Sequence, residues 1–230
     1  MKKFLYATLA SLGLMISSTA SADVINFMDL ADNEPGEGSV GESWVYEGDG
    51  FTLTITAMLG DQMAFPYLDE SNRRGPGGLG VCPEDLDECG SDDNITIDES
   101  LMLTFEVDEG VSVSLTQLWF NNNHDEGLDA DDMISVDFSS IGGMVGEFSP
   151  VADGEVIDGV KGTYAWVADA GEYVFGSGDY VSLAYFNQEF YLSAMEIDVT
   201  RPPAEVPEPA NLVLMSLGLI GLIATRRRRI

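Results

Sequence analysis

Alternation of apolar and polar residues is the dominant pattern in the interior of the chain. Phe51–Thr56 alternates apolar residues with threonine, and Leu101–Val107 places leucine, phenylalanine and valine at every second position. A period of two residues directs one set of side chains to each face of a β-strand. Five further segments show strand character: Val111–Leu118, Met133–Phe138, Thr163–Val167, Tyr180–Phe186 and Phe190–Val199. With glycine clusters between them and no helical period, they predict an all-β fold built as an antiparallel β-sandwich.

The two ends of the chain follow a different pattern, because each carries an uninterrupted apolar run. At the N-terminus two lysines precede the apolar segment Phe4–Ile16, and small residues follow at Ala20 and Ala22. This arrangement predicts a signal helix that signal peptidase removes by cutting before Asp23. An uncleaved N-terminal anchor is the alternative. The short apolar segment and the small residues after it favour removal.

At the C-terminus the triplet Pro207, Glu208 and Pro209 precedes the uncharged apolar run Leu212–Ala224. The prolines keep the triplet extended, which leaves its backbone accessible to a processing enzyme. At about 1.5 Å per residue the run covers roughly 20 Å of a bilayer core that is ~30 Å thick, so it predicts a short transmembrane helix over 211–225. Four arginines follow it and predict a cytoplasmic C-terminus, with everything before Pro207 outside. They are Arg226, Arg227, Arg228 and Arg229.

The C-terminus thus carries a proline–glutamate–proline triplet, a short apolar helix and a run of arginines, in this order. This arrangement resembles the PEP-CTERM sorting signal of Gram-negative bacteria. That signal is also catalogued as the ice-binding-protein C-terminal domain. The resemblance implies recognition by an exosortase, a membrane-embedded cysteine transpeptidase. It also implies transient anchoring in the inner membrane by the helix and delivery to the cell surface or the exopolysaccharide matrix. An ordinary C-terminal membrane anchor is the alternative, and the sequence leaves open whether the helix is removed.

A second, shorter resemblance lies in the interior. The segments Gly78–Cys82, Asp92–Ile95 and Glu99–Leu101 are similar to a pattern that recurs in the exported part of PEP-CTERM proteins. There the pattern precedes a strand pair that corresponds to Leu101–Val107 and Val111–Leu118. The resemblance implies a jelly-roll-like sandwich, and it carries over no catalytic residue.

These patterns predict four parts along the chain. They are a signal peptide at 1–22, an acidic β-sandwich ectodomain at 23–200, a linker at 201–206 and a sorting signal at 207–230.

Charge separates the ectodomain from the two ends. The chain has 40 acidic and ten basic residues and a net charge of −30. The acidic residues all lie between Asp23 and Glu208, whereas six of the ten basic ones lie in the two ends. Nucleic-acid binding is excluded, because contacts with phosphates need a cationic surface. Because so much like charge opposes a compact fold, we expect a saline medium, divalent cations or both.

Cys82 and Cys89 are the only cysteines of the chain. In an exported protein a pair this close predicts one local disulfide, which pins an acidic hairpin. A zinc site is disfavoured, because no further cysteine and one histidine are available to complete its ligands.

Acidic loops are the one dense group of potential ligands, and calcium prefers such oxygens. The loop after Trp119–Phe120 comes close to EF-hand spacing, but Glu126 stands where the invariant glycine belongs. It predicts an irregular calcium loop, for which a merely solvated acidic surface is the alternative. The proposed metal ligands in this loop and in the loop before Asn94 are Asn121, Asn123, Asp125, Asp129, Asp132, Asp92 and Asp93.

Catalytic patterns are missing from the sequence. His124 is the only histidine, and no Gly-x-Ser-x-Gly motif accompanies it. Between Asn123 and Asp125 it is expected to be a solvated loop residue. With so many carboxylates, a pair at a suitable distance for a hydrolase has no diagnostic value. We therefore expect no enzyme and no catalytic residue.

Flat aromatic side chains offer a second mode of binding, since they either stack on sugars or fill the core. Trp166 is expected in the core, and Trp119 is the candidate for an exposed ligand platform because it borders the acidic loop. The sequence thus favours a structural or adhesive matrix protein, assisted by Ca²⁺, whose partner is exopolysaccharide or a cell-surface glycan. A carbohydrate-binding module with defined specificity is the alternative, and a polysaccharide hydrolase is the least favoured.

Overall fold

A computed structural model describes residues 19–71, 75–86, 89, 93–122, 124, 127–138, 144–149, 155–156, 163–167 and 173–202. The chain divides into two compact units, Thr19–Arg201 and the two terminal segments Met1–Ser18 with Pro202–Ile230. The described elements all belong to the first unit. They are β1 (Thr19–Asn26), α1 (Phe27–Asp32), β2 (Gly38–Ser39), β3 (Ser43–Gly48), β4 (Phe51–Leu59), β5 (Gln62–Asp69), β6 (Gly78–Cys82), β7 (Glu99–Val107), β8 (Ser112–Asn121), β9 (Ile134–Phe138), β10 (Met144–Phe148), β11 (Glu155–Val156), β12 (Tyr164–Val167), β13 (Val174–Phe175), β14 (Tyr180–Tyr185) and β15 (Tyr191–Arg201).

The strands form one curled sheet whose pairs are antiparallel in the described part of the chain. Along the hydrogen-bonded path the order is β10-β9-β14-β7-β4-β5-β6-β15-β8-β12-β11. Four strands pair beside this path: β1 with β15, β13 with β8, β2 with β5 and β3 with β4. Strand β5 joins the region of the sheet from β10 to β4 to the region from β6 to β11. Its first residues pair with β4, and its last five pair with β6.

The alternating segments place their apolar residues in one hydrophobic core. In β4, Phe51, Leu53 and Ile55 are buried and pair directly with Val107, Phe105 and Leu103 of β7. Residues opposite each other in an antiparallel pair share a face, so the threonines between them lie together on the outer face. Buried residues of β8 and β15 complete the same core.

The all-β, antiparallel prediction is confirmed, and each predicted strand segment coincides with a strand. The two-layered, jelly-roll-like sandwich stays a prediction. Eight strands in the described part of the chain were not predicted: β1, β2, β3, β5, β6, β10, β11 and β13. Two of them, β5 and β6, lie next to each other in the centre of the sheet. Pro66 interrupts the pattern in β5, and all five residues of β6 are buried, so neither strand alternates. The expected lack of interior helices is wrong at α1, a single short helix that Asn26 caps and Phe27 anchors in the core.

The first strand lies beside the last one. Thr19 pairs with Arg201 and the register continues to Asn26 opposite Ala194. Both Nη atoms of Arg201 contact the carboxylate of Asp49, which holds this end of β15 in place. Within the described residues no helix has the length and apolar character needed to cross a membrane. The predicted helices at 1–22 and 211–225 lie outside those residues, except for the last four residues of the signal peptide, which belong to β1.

Candidate functional site

A cluster of buried polar side chains lies where four neighbouring strands begin or end. Asp69 ends β5, Asn121 ends β8 and Tyr191 begins β15, while the loop after β6 contributes Asp93 and Asn94. His124 follows β8 and is only 7% exposed. Sheet order explains the convergence, because β5, β6, β15 and β8 are consecutive neighbours. We refer to Asp69, Asp93, His124 and Tyr191 as the polar cluster.

Both ring nitrogens of His124 contact oxygen atoms within the fold. Nδ1 lies 2.5 Å from Oδ2 of Asp69, and Nε2 lies 3.0 Å from the carbonyl oxygen of Gly75. A carbonyl oxygen only accepts hydrogen bonds, so Nε2 carries a hydrogen and donates it. The short contact between Nδ1 and Asp69 needs a second proton. The pair therefore holds one proton more than a solvated carboxylate and neutral imidazole do.

The direction of the pKa shift of His124 agrees with this assignment. Burial lowers the pKa of the imidazole, but the hydrogen bond and the negative charge of Asp69 outweigh it. The carbonyl of Gly75 and the charge of Asp93 act in the same direction as Asp69, and the net pKa of His124 is raised. In this arrangement neither nitrogen offers a lone pair to a substrate, so His124 is not placed to act as a general base.

Asp93 and Tyr191 form the second pair of the cluster. The hydroxyl of Tyr191 donates to Oδ1 of Asp93 at 2.5 Å, and its ring packs edge-to-face on His124 with centroids 5.4 Å apart. Burial raises the pKa of Asp93 to about 6, helped by the charge of Asp69 and opposed by the Tyr191 hydrogen bond and His124. Burial also raises the pKa of Tyr191, to which both carboxylates contribute, so its hydroxyl keeps its proton.

Two glycines allow the cluster to form. A Cβ atom at Gly80 in β6 would lie 1.8 Å from the carbonyl oxygen of Asp93, and one at Gly77 would lie 2.2 Å from that of Asp69. Any larger residue would therefore push these two aspartates away from their partners. The backbone positions of Asp69 and Asp93 depend on the glycine-rich segment around the start of β6.

A layer of neutral hydrogen bonds adjoins the polar cluster. The amide nitrogen of Asn121 donates to the carbonyl of Gly77 at 2.7 Å and contacts Oγ of Ser193 at 2.6 Å. Asn121 and Ser193 are fully buried, so these bonds satisfy groups that would otherwise be costly to bury.

The predicted disulfide between Cys82 and Cys89 is present, with Cα atoms 5.8 Å apart. Its loop is fastened by Tyr67, whose hydroxyl accepts from the backbone N–H of Cys89 and donates to Glu37, both at 3.3 Å. Burial raises the pKa of Tyr67 to about 12, so this hydroxyl stays protonated. The disulfide thus stabilises the loop that leads to Asp93.

The residues predicted to hold calcium are only partly brought together. Asn121 and Asp93 bond within the fold as described above, whereas Asp129 and Asp132 lie in a turn in which Oδ2 of Asp132 accepts from the N–H of Asp129 at 2.6 Å. Asn123, Asp125 and Asp92 lie outside the described residues. Within the described ones, no group of three or more His, Cys, Asp or Glu is arranged to hold a metal ion.

Trp119 lies in β8 between Ala165 of β12 and Ala194 of β15 and is partly exposed. Because both cross-strand neighbours of Trp119 are alanines, no large side chain flanks its ring on the adjacent strands. This is compatible with the predicted role of Trp119 as a ligand platform. By contrast, Trp44 and Tyr46 pack against the core, and Tyr67 is buried. The side chain of Trp166 lies outside the described structure.

Sequence reasoning missed most of the polar cluster. The expectation that His124 is solvated is wrong, because contacts with Asp69, Gly75 and Tyr191 cover it. Nothing in the sequence marks Asp69 and Tyr191 as site residues, since each lies at the end of a strand among ordinary strand residues. The one available signal was the dense glycine near Gly77 and Gly80, which indicates close approach of another backbone.

Comparison with known protein families identifies a motif in the C-terminal segment. The family model of the PEP-CTERM protein-sorting motif matches residues 205–229, which include Pro207, Glu208 and Pro209. A motif of this kind indicates an exported protein that an exosortase sorts, and the described residues ahead of it form an all-β module. The resemblance predicted from the C-terminal sequence is therefore confirmed. No curated protein and no solved structure matches the chain.

Proposed function

We propose that the protein is a structural or adhesive component of the cell surface or the exopolysaccharide matrix and has no catalytic role. The sorting motif at 205–229 is the observation that carries this proposal, because it directs the chain to the compartment where such polymers lie. In the proposed sequence of events, signal peptidase removes residues 1–22, the C-terminal helix anchors the chain in the inner membrane, and an exosortase acts at Pro207–Pro209.

The polar cluster supports a role without catalysis. The ring nitrogens of His124 contact Asp69 and the carbonyl of Gly75, and the hydroxyl of Tyr191 donates to Asp93. These groups cross-link loops that follow β5, β6 and β8. Each hydrogen bond to a charged group contributes about 1.5–3 kcal/mol, which helps to stabilise the fold of a chain whose net charge is −30.

Sorting is tested in a Gram-negative host with and without an exosortase. The full chain should reach the matrix fraction when the enzyme is present and stay in the inner membrane when it is absent. A Pro207→Ala/Pro209→Ala variant should behave like the wild type without the enzyme, whereas Val206→Ala, next to the triplet, should be sorted normally. Equal delivery of the triplet variant would refute exosortase sorting. Mass spectrometry of the C-terminus of matrix material shows whether the helix is removed.

Calcium is the proposed link between acidic loops and anionic polysaccharide. The proposal rests on the carboxylates of the loop 121–132, of which Asp129 is exposed and Asp132 partly so. Isothermal titration of the full chain in detergent should show calcium heat that a combined Asp129→Asn/Asp132→Asn variant weakens. The matched control Asp61→Asn changes an exposed acid in the turn between β4 and β5 and should leave the heat unchanged. Lack of calcium heat in the wild type, with no thermal shift beyond that of sodium chloride, would remove calcium from the proposal.

A carbohydrate-binding module with defined specificity is the second candidate, favoured by the partly exposed Trp119 between two alanines. A glycan array separates the two functions, because a matrix component should bind diffusely and in a salt-sensitive way, whereas a lectin should select particular sugars. Trp119→Ala should abolish selective binding, while Phe186→Ala, which removes another exposed aromatic ring, should preserve it.

A further inference from the structure

The predicted signal-peptidase site lies inside a paired strand of the folded module. Ala20, Ala22 and Asp23 belong to β1, where they stand opposite Thr200, Asp198 and Ile197 of β15. A protease binds its substrate as an extended chain in its own cleft, so backbone that is hydrogen-bonded in a sheet must first be released. Pairing with β15 and cleavage before Asp23 are therefore mutually exclusive events.

Strand β15 is the last strand of the module and ends four residues before the matched sorting motif. Its pairing partners β8 and β6 come earlier in the chain. During export from the N-terminus onward, β1 therefore has no partner until nearly the whole module has emerged. The cleavage site is accessible throughout this interval and is covered once β15 arrives.

We propose that removal of the signal peptide has to precede the pairing of β1 with β15, and that this pairing ends the access of signal peptidase. This inference rests on the proposed export through a cleaved signal peptide. In the cleavage step, water adds across the Ala22–Asp23 peptide bond, leaving a carboxylate on Ala22 and an amine on Asp23. Only afterwards does β15 arrive and complete the pairing with β1.

The folded module tolerates the loss of the residues that the cut removes. Ala20, Ser21 and Ala22 are exposed, and the first buried side chain of β1 is Ile25. After cleavage, Asp23–Asn26 keep their partners Ile197–Ala194. The C-terminal end of β15 still pairs with β8 on its other edge and is held by the Arg201–Asp49 ion pair. Cleavage thus removes hydrogen bonds from one edge and nothing from the core.

An order-of-addition experiment tests the inference with the full wild-type chain. The unfolded precursor is diluted into detergent buffer that already contains signal peptidase, or the enzyme is added after refolding in the same buffer. Cleavage after Ala22 should be rapid in the first case and at least about tenfold slower in the second, because strand opening must come first. Hydrogen exchange of the uncut, refolded chain should show protected amides within Thr19–Asp23.

Each outcome decides a separate statement. Equal cleavage rates in the two orders, or unprotected amides at Thr19–Asp23, would overturn the proposed order and leave export by a cleaved signal peptide intact. Failure to cut the unfolded chain after Ala22 would overturn the cleavage site and with it this inference, and it would leave the proposed matrix role, which rests on the motif at 205–229, untouched.

Discussion

Nδ1 of His124 lies 2.5 Å from Oδ2 of Asp69, in a contact that joins the loop after β8 to the end of β5. Both side chains are almost completely buried, so each one compensates the charge of a partner that water does not solvate. Removing one member of a buried pair leaves the other uncompensated, which is far more costly than losing a surface ion pair.

Asp69→Asn should therefore lower the free energy of unfolding by about 3 kcal/mol. The amide keeps the shape of the carboxylate but loses its negative charge, so His124 loses the partner that holds its second proton. Urea denaturation at neutral pH measures the loss. Asp61→Asn is the control, because it removes an equal charge from an exposed turn and should change stability by less than about 0.5 kcal/mol. A loss for Asp69→Asn no larger than that of the control would contradict the assigned pair.

Stability should rise as the pH falls through the range in which the polar cluster takes up protons. The pKa of Asp93 is raised from 3.8 to about 6, and that of His124 is raised above 6.5. A raised pKa means that the folded chain binds the proton more tightly. The resulting stability is fully present below the unfolded pKa and is lost as the pH climbs through the folded one. Asp93 thus weakens the fold between about pH 4 and 6, and His124 weakens it above 6.5.

Variants separate this effect from the general repulsion among 40 acidic residues. Asp93→Asn should flatten the lower part of the pH profile of the unfolding free energy, and His124→Gln should flatten the upper part. Urea midpoints at a series of pH values provide the test. Profiles parallel to that of the wild type would show that these two groups do not bind the linked protons.

Gly80→Ala should destabilise the fold by about 2–3 kcal/mol or prevent folding, because its methyl group would lie 1.8 Å from the carbonyl oxygen of Asp93. Gly146→Ala in β10 is the matched control. Its methyl group would have no heavy atom within 4 Å, so stability should stay the same or rise slightly. Thermal unfolding of both variants measures the difference, and equal midpoints would contradict the close approach of Asp93 to β6.

Loss of the disulfide should cost about 2–3 kcal/mol, since it closes a short loop between Cys82 and Cys89. A Cys82→Ala/Cys89→Ala variant tests this by urea denaturation under oxidising conditions. The same variant under reducing conditions is the control, because a reductant should then have no further effect. If the wild type loses no stability on reduction, the disulfide is not what stabilises this loop.

The strands that the sequence predicted most clearly, β4 and β7, have one buried and one outer face. In β4 and β7 the alternation is visible because the outer residues, such as Thr54 and Thr104, are polar. Strand β6 has no such face, since β5 and β15 lie beside it and residues of the polar cluster cover its glycines. Its sequence Gly78–Cys82 reads as a turn followed by a short apolar run.

The candidate site was less predictable than the fold because it depends on contacts between distant segments. His124 is flanked by polar residues that indicate a solvated loop, and only the tertiary contact with Asp69 shows otherwise. Calcium binding remains a prediction in the same loop. The sorting motif, by contrast, was fully predictable, since an enzyme reads it as linear sequence near the end of the chain.

Strand β15 also connects the polar cluster to the last described part of the fold. It runs from Tyr191, in the polar cluster, to Arg201, and it spans roughly 30 Å. The polar cluster and the ion pair between Arg201 and Asp49 therefore lie at opposite ends of one strand.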